Sequence, residues 1–139
     1  MDEATQLTED KTIEILMKYL KSEKWTIESY CLGQKRGYDI VATKEKEKLI
    51  IEVKGAKADD KSPTKKRTHF DSGQIKTHFG KAVIKSFETQ NEFPESKVAI
   101  AHPDNEYLRR VIGSLIKNIN NAGIIHFWVN VSGKVIIEK

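Results

Sequence analysis

An acid and a base lie two residues apart in an apolar segment of the chain. In "KLIIEVKG", residues 48–55, Glu52 and Lys54 alternate with Ile51 and Val53. Side chains point alternately to the two faces of a strand, so we expect Glu52 and Lys54 on the same face. Burying charged groups costs free energy unless they are paired or bind an ion. The spacing therefore indicates two groups that are arranged for chemistry.

A second carboxylate precedes this pair by one predicted hairpin. Asp39 lies in "GYDIVAT", and the short "EKEK" turn makes its strand a neighbour of the strand that carries Glu52. Two carboxylates that approach each other raise the pKa of one of them unless a cation neutralises them. Mg²⁺ typically binds one or two carboxylates together with waters and a phosphate. Lys54, on the same face as Glu52, can orient a water or offset charge that grows on a phosphate.

This arrangement resembles the PD-(D/E)XK nuclease superfamily, which has the restriction-endonuclease-like fold. The matching residues are Asp39 in "GYD" and the Glu52-Val53-Lys54 triplet of "IIEVKG", and the order of elements extends the resemblance over about residues 8 to 102. The resemblance implies hydrolysis of DNA phosphodiester bonds, with Mg²⁺, or Mn²⁺ in its place, bound by Asp39, Glu52 and the Val53 carbonyl. Lys54 would then position or activate the attacking water.

The resemblance also directs attention to the first two predicted helices. Many relatives place another metal-side acid on the first helix, where Glu9 and Glu14 are the candidates, although acids in a first turn also simply favour the helix dipole. Some relatives place a glutamine or lysine from the second helix beside the active site. Gln74 begins that helix and is the candidate, the alternative being an ordinary polar flank.

Basic side chains are the candidates for contact with DNA. The net charge is +4 and the pI is near 9.1, which modestly favours an anionic partner. Such contacts supply affinity that is independent of sequence and sensitive to salt. The candidates before the second strand, in the long loop and on the second helix are Lys35, Arg36, Lys57, Lys65, Lys66, Arg67, His78 and Lys81.

Hydrophobic periodicity predicts one α/β domain over residues 1–139. The predicted elements are a helix over 8–22, strands over 25–32, 37–43 and 48–55, a helix over 72–88, a strand over 97–103, a helix over 105–123 and a strand pair within 124–139. The order α-β-β-β-α-β-α-β-β predicts a mixed β-sheet flanked by helices. Residues 56–72 lack periodicity and are dense in charge, which predicts a long basic loop of the kind that is usually functional or disordered.

Composition excludes several other classes of protein. No apolar run is long enough to cross a bilayer, so no membrane partner is expected. The polar N-terminus and the lone cysteine, Cys31, favour a cytoplasmic protein without a disulfide framework. The four histidines show no metal-ligand spacing, so a zinc site is not expected. No phosphate-binding or dinucleotide-binding glycine motif is present.

Two other functions remain open at this point. The first is a catalytically inactive nuclease-fold module that binds duplex or branched DNA or serves in assembly. The second is an unrelated α/β protein in which the E-x-K spacing arose by chance. One metal site per chain also makes a twofold homodimer the expected form if both strands of a duplex are cut.

Overall fold

A computed structural model describes residues 6–33, 35–58 and 69–139 of the 139-residue chain. Four helices and six strands make up this part of the protein. The helices are α1 (Glu9–Ser22), α2 (Ser72–Glu92), α3 (Glu106–Ile112) and α4 (Ile116–Asn121), with a 3₁₀ turn, Gly113–Leu115, between the last two. The strands are β1 (Thr26–Tyr30), β2 (Ile40–Lys44), β3 (Glu47–Val53), β4 (Lys97–Pro103), β5 (Ile124–Val129) and β6 (Val135–Glu138).

The six strands form one mixed sheet in which spatial order follows chain order, β1-β2-β3-β4-β5-β6. The first three strands are an antiparallel meander. Strands β3, β4 and β5 are parallel to one another, and β6 returns antiparallel to β5. Parallel neighbours need a crossover connection, which α2 provides between β3 and β4. The predicted mixed α/β sheet flanked by helices is confirmed.

Helices cover both faces of the sheet and divide the core into two layers. On one face, α1 packs Ile13, Leu16 and Leu20 against alternate residues of the central strands, such as Ile51 and Val53. On the other face, α2, α3 and α4 pack against a second buried cluster. That cluster contains Ile75, Phe79, Ala82, Ile100, Leu108, Ile112, Ile116, Ile119, Ile124 and Trp128. Because side chains alternate between the two faces along β3, Glu52 lies on the face covered by α2, and so does Lys54, which directly follows the strand.

Two predicted elements differ from the structure. The second strand begins at Ile40 rather than at residue 37, because Gly37 has φ +136°, a conformation that glycine readily adopts and that does not continue a strand. Asp39 therefore lies one residue before β2 rather than inside it. The predicted helix over 105–123 is interrupted at Ile112, whose φ of −121° and ψ of −6° are not helical, and the chain continues as the 3₁₀ turn Gly113–Leu115 and then α4.

The ends of the predicted 56–72 loop are fixed to the fold. The Ala56 N–H donates to the Leu7 carbonyl at 2.7 Å, and the Phe70 N–H donates to the Ala56 carbonyl at 2.8 Å. The two ends therefore lie side by side at the start of α1, while residues 59–68 lie outside the described residues. Within the described ranges, no helix has the length and apolar character needed to cross a membrane.

Candidate active site

Asp39 and Glu52 meet on the α2 face of the sheet. The β2–β3 register pairs Ile40 with Ile51, and one further step places Asp39 opposite Glu52. Because β2 begins only at Ile40, the Val53 N–H has no strand partner at this point. The Asp39 carboxylate takes that place and accepts the Val53 N–H at 2.8 Å. Backbone N–H groups are nearly always paired, so this bond fixes the carboxylate beside Glu52.

The environment of Asp39 raises its pKa to about 8. Burial contributes most, because it disfavours the charged form, and the negative charge of Glu52 adds to it. The Val53 N–H acts in the opposite direction, and the more distant charge of Glu9 again raises the pKa. A half-buried carboxyl with these neighbours is protonated at neutral pH unless a cation compensates its charge.

Lys54 lies beside this acidic pair. Its Nζ lies 3.5 Å from a Glu52 carboxylate oxygen, and both side chains are largely shielded, with exposed fractions of 19% and 18%. The Lys54 N–H donates to the Ala101 carbonyl at 2.9 Å, which extends the parallel β3–β4 pairing by one residue. Pairing with β4 on one side and the bond from the Val53 N–H to Asp39 on the other therefore fix the backbone of the Glu52-Val53-Lys54 triplet.

Of the two first-helix acids, Glu9 lies towards the acidic pair. Its pKa is raised, chiefly by burial; the charge of Lys54 opposes the shift and that of Glu52 adds to it. Glu14 is exposed instead, with its carboxylate 3.7 Å from the Lys11 Nζ. Gly55 allows the start of α1 to approach β3, because a Cβ atom there would lie 2.5 Å from the Glu9 backbone nitrogen.

The donor set fits a hard divalent cation better than zinc. Asp39 and Glu52 supply two carboxylates, and the Val53 carbonyl points to the same side of β3 as its N–H, towards Asp39. Mg²⁺ usually binds one or two carboxylates and keeps several waters, whereas structural zinc takes four protein ligands. Across the described residues, no three His, Cys, Asp or Glu side chains form a metal-binding group. The pKa of Asp39 is raised because burial disfavours its negative charge, which a bound cation would compensate.

A cavity of about 320 Å³ adjoins this site on the Lys54 side. We call it the site cavity. Its lining includes Glu9, Lys54, Lys57, Phe70, His78 and Lys81. Three of the predicted DNA contacts, namely Lys57, His78 and Lys81, are thus brought together around Lys54. Burial and the neighbouring Lys54 and Lys81 lower the pKa of His78, so its ring is neutral at neutral pH.

The remaining predicted site residues are placed differently. Gln74 is exposed and forms a capping box with Asp71: its side-chain oxygen accepts the Asp71 N–H at 3.0 Å, and its own N–H donates to Asp71 at 2.8 Å. Lys35 borders a separate surface groove along β1, and Arg36 is exposed. Lys65, Lys66 and Arg67 lie outside the described residues.

A buried histidine pair beside Lys54 was not expected from the sequence. His102 on β4 and His126 on β5 are both inaccessible to solvent, and His102 Nδ1 lies 2.8 Å from His126 Nε2. Burial, followed by the charges of Lys54 and His78, lowers the pKa of His102 to about 3. Burial also lowers the pKa of His126 far below its ordinary value. His102 is two residues after Ile100 in an apolar strand, so the sequence indicates that His102 shares a buried face with Ile100. The proximity of the His102 and His126 rings, in contrast, depends on the pairing register of β4 and β5.

Comparison with known proteins finds a similarity for the first part of the chain. Residues 8–74 match the family model described as the C-terminal part of protein NO VEIN. The matched segment begins at the cap of α1, runs through β1, β2 and β3, and ends in the first turn of α2. Comparisons with curated proteins and with solved structures gave no match. The segment that carries Glu9, Asp39, Glu52 and Lys54 is therefore similar to the C-terminal part of protein NO VEIN.

Proposed function

We propose that this protein is a Mg²⁺-dependent DNA endonuclease of the PD-(D/E)XK type that hydrolyses phosphodiester bonds. The observation that carries the proposal is the convergence of Asp39 and Glu52 from neighbouring strands, with the Lys54 Nζ 3.5 Å from Glu52. The triplet motif alone is weak in a lysine-rich chain. The motif is stronger support for the proposal here because the Val53 N–H holds Asp39 opposite Glu52.

Each residue has a distinct role in this proposal. Asp39 and Glu52, with the Val53 carbonyl, would hold the ion, and the Val53 N–H keeps Asp39 oriented towards it. When bound, the ion would polarise the scissile phosphate and lower the pKa of a water. Lys54 donates hydrogen bonds to the attacking water or to the phosphate oxygen on which charge grows. Glu9 adds negative charge at the edge of the site and favours cation binding.

The direct test removes each charged group in turn, with nearly isosteric amides in place of the two carboxylates. We expect Asp39→Asn, Glu52→Gln and Lys54→Ala each to lower the rate of DNA cleavage in Mg²⁺ by at least about a hundredfold, as is typical when a group that stabilises the transition state is lost. The substrates should include linear, branched, single-stranded and supercoiled DNA. Failure of the wild-type protein to cut any of them in Mg²⁺ or Mn²⁺ would refute the proposal.

Matched controls exist on the same strand. On β3, Glu47 is exposed and Lys48 is partly exposed, and they form surface ion pairs with Lys97 and Glu28, respectively. We expect Glu47→Gln and Lys48→Ala to cleave like the wild type, because exposed ion pairs contribute little to stability. Salt-sensitive DNA binding without cleavage, unchanged by Asp39→Asn, would favour the inactive nuclease-fold module instead.

A further inference from the structure

The site cavity is a slot between elements from the two faces of the sheet. The start of α1 supplies Glu9 on one side, and α2 supplies His78 and Lys81 on the other. Lys54, at the end of β3, lines the same slot and lies 3.5 Å from Glu52. A DNA strand in the slot would therefore contact Lys54, whose ammonium group joins the cavity to the Glu52 carboxylate.

The volume of the cavity limits what can enter it. Ligand pockets usually measure about 300–1,000 Å³, so about 320 Å³ is at the small end of that range. One nucleotide fits a space of this size. A base that remains paired cannot enter, because its partner strand would have to occupy the same slot.

The lining offers the two kinds of contact that unpaired nucleotides use. Lys54, Lys57 and Lys81 supply positive charge for a phosphate. Phe70 supplies an aromatic surface for a base, and its half-buried ring is fixed edge-to-face against His78, with ring centroids 4.5 Å apart. Positively charged grooves combined with aromatic side chains are typical of proteins that bind single-stranded nucleic acid.

We propose that the site cavity binds one unpaired nucleotide next to the scissile phosphate, so that the substrate is single-stranded DNA or the unpaired part of a frayed, overhanging or branched end. This inference rests on the proposed nuclease function, whose substrate class it specifies. The phosphate lies towards Lys54, Lys57 and Lys81, and the base lies against Phe70. Continuous duplex DNA is a poor substrate because no base can enter the cavity without leaving its pair.

Binding in the absence of divalent metal tests the cavity separately from cleavage. We expect a short labelled single strand to bind at least about tenfold more tightly than the same sequence as a blunt duplex, measured by fluorescence anisotropy at one salt concentration. With Mg²⁺ present, cleavage should fall within the unpaired part of an overhang. Equal or tighter binding of duplex, or equally fast cutting within continuous duplex, would overturn the inference and leave the nuclease function standing.

Three variants locate the effect. Phe70→Leu should weaken single-strand binding by about tenfold and leave duplex binding unchanged, because only the stacking surface is lost. Lys81→Ala should reduce the slope of log affinity against log salt by about 0.7, the value for one phosphate contact on a single strand. Lys76→Ala, on an exposed position of α2 outside the cavity, is the control and should change neither quantity.

The two proposals fail in different ways. If the single strand is preferred and Phe70→Leu abolishes that preference while no DNA is cut, the cavity is supported and the nuclease function is refuted. If Phe70→Leu does not fold, the salt slope of the exposed Lys81→Ala variant decides, and an unchanged slope contradicts the inference.

Discussion

Asp39 is the residue in which the chemistry of the site is concentrated. Its carboxyl is half-buried beside Glu52 and bonded to the Val53 N–H at 2.8 Å. The sequence predicted that Asp39 approaches Glu52, because a short turn joins their strands. It could not predict the bond to Val53, since that bond depends on β2 beginning one residue after Asp39. Alternation along an apolar strand likewise predicted that Lys54 lies on the same face as Glu52. The position of Gln74 was not predictable, because its capping box depends on where α2 begins.

Cation binding should displace a proton from Asp39. Because the pKa of Asp39 is about 8, the carboxyl is protonated at pH 7 and must ionise when Mg²⁺ binds. Titration calorimetry in two buffers of different ionisation enthalpy should therefore show release of about one proton per ion at pH 7 and much less at pH 9. Asp39→Asn should bind no Mg²⁺. Binding without proton release at pH 7 would contradict the raised pKa.

At the scale of elements, the position of α1 is set by a missing side chain. Gly55 follows β3 directly, and a Cβ atom there would lie 2.5 Å from the Glu9 nitrogen and 2.9 Å from the Thr8 carbonyl carbon. The helix itself was predictable from its apolar spacing and its Thr8 cap, whose side chain accepts the Lys11 N–H at 3.1 Å. The close contact of α1 with β3 was not predictable, because hydrophobic periodicity shows which face of a helix is buried but not how closely two elements approach.

Gly55→Ala should move Glu9 without removing any charged group. The added methyl group must push back the backbone at the start of α1, which should destabilise the fold by about 1–3 kcal/mol. It should also weaken Mg²⁺ binding, because Glu9 moves away from Lys54 and Glu52. The measurements are urea unfolding and calorimetric titration with Mg²⁺.

Gly80→Ala is the matched control for this change. Gly80 lies within α2, and a Cβ atom there would meet no atom within 4 Å. Alanine favours helix more than glycine does, so Gly80→Ala should stabilise the fold by up to about 1 kcal/mol and leave Mg²⁺ binding unchanged. Equal behaviour of the two variants would show that α1 does not contact β3 closely.

For the whole molecule, buried groups with opposite pKa shifts determine how the free energy of unfolding changes with pH. His102, whose pKa is lowered to about 3, binds a proton when unfolded but not when folded between about pH 6.5 and 3, and burial shifts the pKa of His126 in the same direction. Both histidines therefore lower stability as pH falls below about 6.5. Asp39 holds its proton in the folded state up to about pH 8 and loses it near pH 3.9 when unfolded, so it lowers stability as pH rises.

We expect stability of the metal-free protein to peak near pH 6.5. Each group contributes about 1.4 kcal/mol per pH unit, so the two histidines outweigh Asp39 on the acid side, whereas Asp39 alone acts between about pH 6.5 and 8. Urea unfolding from pH 4.5 to 8 should show both limbs. Asp39→Asn should flatten the limb above the peak, and saturating Mg²⁺ should reverse it. Stability that kept rising as pH fell below 6.5 would mean that the histidine pair takes up protons in the folded state as readily as in the unfolded state, which would leave only the Asp39 contribution.

The order of the sheet also determines when the acidic pair is assembled. Strands β2 and β3 are joined by a tight turn at residues 45–46, and β3 gains its other neighbour only when β4 is added. During synthesis, Asp39 and Glu52 can therefore come together in a hairpin that is still open to water, before α2 has left the ribosome. Their mutual repulsion is weak at that stage and becomes costly only when the second half of the chain docks over them. We therefore expect assembly of the site and its burial to be separate steps of folding, contributed by different halves of the protein.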